Sequence, residues 1–287
     1  MKQFLIVVFS AMLALSCTKR DLKDAWQTTS LSAETRTNVA YGNDPLQQMD
    51  IFLPAGRSID STKVLVMIHG GAWLEGDKAD FKQYMDSMKA RLPGYAIFNI
   101  NYRLAALPNK NPFPTQELDV KAAVSAIYAK RMEYQISDKF VLLGASAGGH
   151  LALLQAYKHS SVLKPKAVVS FFGPTDMAGI YAAQTNSTAL FGLQLLMGGT
   201  PVSNPASYQQ ASPITYAGAT SAPTLLFHGG ADPDVPVSQT TSLRDRLLTA
   251  NATVEYVFYP TEGHGWTGAN LTHSFSKIEA FLKTHVR

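Results

Sequence analysis

"FVLLGASAGGH" occupies residues 140–150. Four apolar, β-prone residues stop abruptly at Gly144, and a serine follows between two alanines and a glycine pair. From His150, "HLALLQAYK" carries apolar residues at helical spacing. A Gly-x-Ser-x-Gly match fixes only three positions and is weak by itself. Its setting makes it informative, because strand, tight turn and helix follow one another without a spacer. In such a turn side chains at Gly144 and Gly148 would collide with the neighbouring strand and helix, so glycine is required at both. Ser146 is then expected at the strand tip, exposed beside a helix N-terminus.

Working outward, strand and helix signals alternate along the chain. Two early strands, "TNVAYG" (37–42) and "QQMDIFLP" (47–54), flank a turn at Gly42–Pro45. "KVLVMIH" (63–69) is a continuous apolar run, as expected of a strand buried on both faces. A helix capped by Asp77 is expected to run to about Leu92. Further strands follow at 95–101, 140–146, 167–173, 224–229 and 254–259, with helices near 116–130 and 272–286. This order predicts an α/β protein with a mostly parallel central sheet of about eight strands and helices on both faces. The stretch 174–222 is long and strand-poor. It reads as a helical, cap-like excursion over the C-terminal edge of the sheet, where ligands bind in such folds.

Composition bounds the rest. The chain has 287 residues, 46% hydrophobic and 16% charged, with a formal charge of +4. That is an ordinary globular balance with enough apolar residues for a large core. The basic residues are scattered, so nucleic acid is not expected as a partner. At "HGGAW" the glycines form no Gly-x-Gly-x-x-Gly, and no Gly-Lys-Ser/Thr occurs in the sequence, so a phosphate loop is not expected there. No His-Glu-x-x-His occurs, and Cys17 is the single cysteine. No metal and no cofactor are expected.

The first residues, "MKQFLIVVFSAMLALSC", read as a secretory signal: one lysine, an apolar run from Phe4 to Leu15, then small residues. Two endings compete. Ala14-Leu15-Ser16 suits ordinary signal cleavage, whereas Cys17 sits where a bacterial lipoprotein carries its lipid. The favoured division is a signal peptide at 1–16, a lipid-attached tether at 17–36 and the folded domain at 37–287. The expected location is the periplasm or outer membrane, with plain secretion as the alternative. The membrane would be met through the lipid anchor alone.

A serine hydroxyl needs a base and a group that orients the base. Seven histidines are available. His159 and His285 sit in polar helical contexts, His273 opens the last helix, and His150 lies on the helix after the serine turn. His69 and His228 end strands and precede glycine, as braces for the loops that follow. His264, in "PTEGHGW", lies in a glycine-flanked loop after the last strand and is the expected base. "FHGGADPDVP" offers Asp232 and Asp234 as orienters, and Asp232 is favoured. The order Ser, Asp, His differs from the two common serine-protease orders. "HGGAW" (69–73) follows the buried strand 63–69, and Gly70 and Gly71 let its amides turn. The N–H groups of Gly71, Ala72 and Ala147 are the candidate oxyanion donors.

Taken together, "HGGAW", "NYRL", "GASAGGHLAL", "SPITY", "HGGADPDVP" and "EGHGW" resemble the α/β-hydrolase superfamily. The likeness is nearest to small carboxylesterases with a His-Gly-Gly-x-Trp oxyanion motif, the acetyl-xylan, feruloyl and kynurenine formamidase-like enzymes. It covers residues 37–287 in order. It implies Ser146 as nucleophile, Asp232 as acid, His264 as base, and hydrolysis of small esters or acylated carbohydrate through an acyl-enzyme. Ala72 stands where the hormone-sensitive-lipase branch has a third glycine. The same motifs resemble the catalytic domain of prolyl-oligopeptidase-type peptidases, which carry a β-propeller not expected here. An inactive hydrolase-fold binding protein is the reading from a different class.

Overall fold

Eight strands form one sheet in the order β1-β2-β4-β3-β5-β6-β7-β8. In this computed structural model, residues 30–160 and 163–287 are described. The proposed signal peptide, Cys17 and most of the proposed tether lie outside them. β1 (Glu34–Ala40) and β2 (Gln48–Leu53) form an antiparallel hairpin, and β2 pairs antiparallel with β4 (Tyr95–Ile100). From β4 on, β3 (Lys63–Ile68), β5 (Phe140–Ala145), β6 (Ala167–Phe171), β7 (Thr224–Gly229) and β8 (Val254–Tyr259) are all parallel. Residues 34–36, read as the end of the tether, already belong to β1, because they pair with Ile51, Phe52 and Leu53.

The continuous apolar runs are explained by burial on both faces. In β3, Val64, Val66 and Ile68 face one core, while Leu65 and Met67 face the other. In β5, Phe140 and Leu142 alternate with Val141 and Leu143 in the same way. Each such side chain contributes about 1.5–3 kcal/mol when fully buried. The first core lies under α2 (Thr115–Ala129), α4 (Ala147–Lys158) and α8 (Val237–Thr249). The second lies under α1 (Lys82–Arg91) and the final helix α9 (Gly268–His285). A short α3 (Arg131–Tyr134) extends α2.

Three details differ from the sequence reading. Asp77 caps a 3₁₀ turn, Lys78–Phe81, through a reciprocal capping box with Asp80, and α1 begins only after it. α9 starts at Gly268, four residues earlier than expected. α8 lies between β7 and β8, where no helix was assigned. Its buried Leu243 and Leu247, four apart, carry the signal. The excursion after β6 holds α5 (Met177–Ala183), α6 (Ser187–Met197) and α7 (Pro205–Gln210), two of them capped by Asp176 and Asn186 side chains.

Candidate active site

β3, β5, β7 and β8 each deliver one part of the site from a C-terminal end. Ser146 follows β5 with φ 53° and ψ −123°, a conformation that costs a non-glycine residue energy. The chain accepts it because β5 must reverse into α4 with no loop. A Cβ at Gly144 would overlap the Gly148 backbone, and one at Gly148 would overlap the carbonyls of Ile68 and His69. The Ser146 N–H donates to the Phe171 carbonyl at 2.9 Å, which ties the turn to β6. Ser146 Oγ has no hydrogen-bond partner among the described residues. Such contacts commonly tighten only when substrate is present.

His264 stands in the loop after β8. Its Nδ1 lies 2.8 Å from Asp232 Oδ2. The Asp232 side chain is fully buried, and its Oδ1 accepts the N–H groups of Asp234 and Val235, each at 2.9 Å. Burial raises the Asp232 pKa, but the His264 hydrogen bond and the two backbone donors outweigh it, so the carboxyl stays below its usual range. Asp234 points to solvent. Asp232, Asp234 and His264 are close enough to hold a cation between them. The Asp232 oxygens, however, are already engaged by His264 and the two amides. An ionised Asp232 fixes His264 with its proton on Nδ1, which leaves Nε2 as the acceptor.

His228 closes the buried side of this pair. Its Nε2 is 2.9 Å from the Val235 carbonyl and 3.5 Å from Asp232 Oδ2, and its Nδ1 is 2.6 Å from Thr240 Oγ1. Burial lowers its pKa, so the ring is neutral there. Phe172, a residue the sequence reading did not single out, packs on the His264 ring with centroids 4.4 Å apart. It has a positive φ of 40° and immediately follows Phe171, the acceptor for the Ser146 amide. Phe172 therefore links the histidine loop to the serine turn. "FFG" at the end of a strand was its only signal.

The loop after β3 takes three consecutive left-handed residues: Gly71 at 105°, Ala72 at 49° and Trp73 at 63°. Neither Gly71 N nor Ala72 N donates to a backbone carbonyl among the described residues. Ala147 N belongs to the first turn of α4, where amides lack intrahelical acceptors. Gly71 N and Ala72 N are thus free of backbone acceptors among the described residues, and Ala147 N lies in the turn where helix geometry supplies none. The loop sits against the serine: a Cβ on Gly70 would come within 3.3 Å of Ser146 Cβ. It is held from several sides. Tyr102 Oη donates to the carbonyls of His69 and Gly70 at 3.1 Å, and its ring stacks on His69 at 4.4 Å. Trp73 Nε1 donates to His150 Nδ1 at 3.1 Å, and His150 Nε2 donates to the Ala211 carbonyl at 2.6 Å. Burial pushes His150 down to about 4. This neutral ring joins the loop after β3, the serine helix and the excursion.

A strained serine turn after the middle strand, a buried carboxylate with its histidine two and three strands away, and this connectivity define an α/β-hydrolase. The chain belongs to the BD-FAE family, which matches residues 49–247. Among curated proteins it is 28% identical over 263 residues to Esterase LipC of Mycobacterium tuberculosis, covering 86% of this chain and 64% of LipC. It is 30% identical over 262 residues to the probable carboxylic ester hydrolase LipM of that organism, covering 85% of this chain and 60% of LipM. The chain therefore spans less than two thirds of these relatives. A truncated carbohydrate esterase from gut microbiota superposes with a TM-score of 0.75 at 25% identity, covering 89% of this chain and 97% of that one.

Proposed function

We propose that the protein is a serine carboxylic ester hydrolase. The observation that carries this reading is the Asp232–His264 pair, whose ring packs on Phe172, next to the Phe171 carbonyl that accepts the Ser146 amide. His264 Nε2 takes the proton from Ser146 Oγ as the oxygen attacks the ester carbonyl. Negative charge develops on the carbonyl oxygen and is met by the N–H groups of Ala147 and of Ala72 or Gly71. The C–O bond to the alcohol breaks, and protonated His264 gives its proton to the departing oxygen. Water, deprotonated by His264, then attacks the acyl carbon; the bond to Ser146 Oγ breaks, protonated His264 returns its proton to that oxygen, and the acid is freed. Asp232 stays ionised and stabilises the imidazolium.

Acylated carbohydrate is the proposed substrate class, supported by the likeness to a carbohydrate esterase. The test is turnover of p-nitrophenyl acetate, acetylated xylan and methyl ferulate by the native chain and by Ser146→Ala. Hydrolysis by the first and a loss of roughly 10⁴–10⁶ in the second is expected. Equal activity in both would reject the serine mechanism.

The proposed setting is a bacterial envelope, with Cys17 lipidated. Mass spectrometry of the N-terminal peptide of membrane-extracted protein should show Cys17 carrying lipid. An unmodified Cys17 would leave secretion without an anchor.

A further inference from the structure

The candidate oxyanion donors come from two separate stretches of chain: Gly71 and Ala72 from the loop after β3, and Ala147 from the first turn of α4. Donors of this kind act only when they are held in place before the reaction. Among the described residues one hydrogen bond joins residues 69–76 to residues 146–158, from Trp73 Nε1 to His150 Nδ1 at 3.1 Å. The His150 ring is fully buried, and both its nitrogens are committed. An indole N–H can only donate, and a backbone carbonyl can only accept. Nδ1 therefore carries the lone pair that meets Trp73, and Nε2 the proton that meets the Ala211 carbonyl. A ring turned over would satisfy neither partner. The indole also meets the imidazole edge-on, with centroids 5.1 Å apart and planes at 88°. The backbone N–H of His150 donates to the Ser146 carbonyl at 3.0 Å. One residue thus touches the backbone of the nucleophile, the loop after β3 and the excursion.

Ala72 and Trp73 are held at φ of 49° and 63°, a conformation that side-chain-bearing residues keep only where their surroundings enforce it. Trp73 is fixed at its carbonyl by the Ala105 N–H, at 2.9 Å, and at its side chain by His150. The indole is buried, so loss of its acceptor would leave an N–H without a partner. A shift of the loop would relieve that, and Ala72, the preceding residue, would move with it. We propose that His150 is a positioning residue for the oxyanion hole. Through Trp73 it holds the Gly71 and Ala72 amides in register with Ala147, and the Ala211 carbonyl fixes its ring from the excursion. The inference rests on the esterase reading above. His150 touches no reacting atom in this role.

The test compares p-nitrophenyl acetate with p-nitrophenyl thionoacetate, in which sulfur replaces the carbonyl oxygen. Sulfur is a weak acceptor, so the thionoester gains less from oxyanion donors. The ratio of kcat/KM for the two esters reads the hole and cancels any loss of folded enzyme. The native enzyme should favour the oxygen ester by about 10²-fold or more, the effect of one such donor. His150→Phe and Trp73→Phe keep a buried ring and remove the bond. Each should lower the ratio by about tenfold or more, as displaced groups do. The double variant should fall no further than the lower of the two, because both changes break the same bond. A role in stability alone would slow both esters alike and leave the ratio unmoved. Either single variant decides the matter should the other fail to fold. Ratios within about twofold of the native one in every folded variant, or losses that multiply in the double variant, would overturn the positioning role and leave the esterase reading intact. A native ratio near one would overturn it as well, since no oxyanion hole would then be acting. No turnover of either ester by the native enzyme would remove both readings.

Discussion

The backbone N–H of Asp234 donates to the carboxylate of Asp232. The two acids of "ADPD" are therefore not equivalent candidates: one is the buried partner of His264, and the other supplies an amide to hold it. Asp232→Asn should cost about 10³–10⁴ in kcat, because an amide at that place favours the wrong histidine tautomer. Asp234→Asn keeps the backbone donor and should cost less than about tenfold. Steady-state kinetics on one p-nitrophenyl ester ranks the two. The reverse ranking would move the acid to Asp234.

Gly148 is the position where the serine turn touches β3. A Cβ there would overlap the carbonyls of Ile68 and His69, which are backbone of a buried central strand and cannot swing aside. Gly148→Ala should lower stability by about 3 kcal/mol or more, although alanine favours helices elsewhere. Urea unfolding checks it, and a midpoint equal to the native one would contradict the close packing.

His150 makes stability depend on pH. Its folded pKa of about 4 lies below the ordinary histidine value of 6.5, because burial opposes the charged ring. As pH falls from about 6.5 towards 4, the unfolded chain takes up a proton that the folded chain refuses. Stability is thus fully present above about pH 6.5 and is lost as pH falls, by about 3 kcal/mol at about 1.4 kcal/mol per pH unit. His69 and His228 are shifted in the same direction. Glutamine can accept from Trp73 and donate to Ala211 without titrating. Thermal unfolding of His150→Gln between pH 4 and 7 should therefore show a flatter slope than the native chain, with a residual slope from the other two histidines. Parallel slopes would contradict it.

Much of this architecture is legible in the sequence for a physical reason. The strands of the parallel sheet are buried on both faces, so they appear as unbroken apolar runs such as "KVLVMI" and "FVLLGA". The serine turn is legible because two glycines are sterically compelled at 144 and 148. Asp232 and Asp234 could be ranked from the sequence only by position, since burial and the direction of a carboxylate are tertiary facts. α8 is harder to read because its exposed face is polar and its buried contacts are few. Phe172 and the link from His150 to Ala211 depend on residues that meet only after folding. Local pattern carries no trace of them.

The central claim is that Ser146 Oγ is the atom that becomes acylated. An alkylphosphonate p-nitrophenyl ester tests it most directly, since attack releases p-nitrophenol and leaves phosphorus bound to the nucleophile. Peptide mass spectrometry after stoichiometric release should place the phosphonyl group on Ser146, and Ser146→Ala should neither release p-nitrophenol in a burst nor carry the label. A label on any other side chain, or ester turnover by the native enzyme that the reagent never inhibits, would contradict the account.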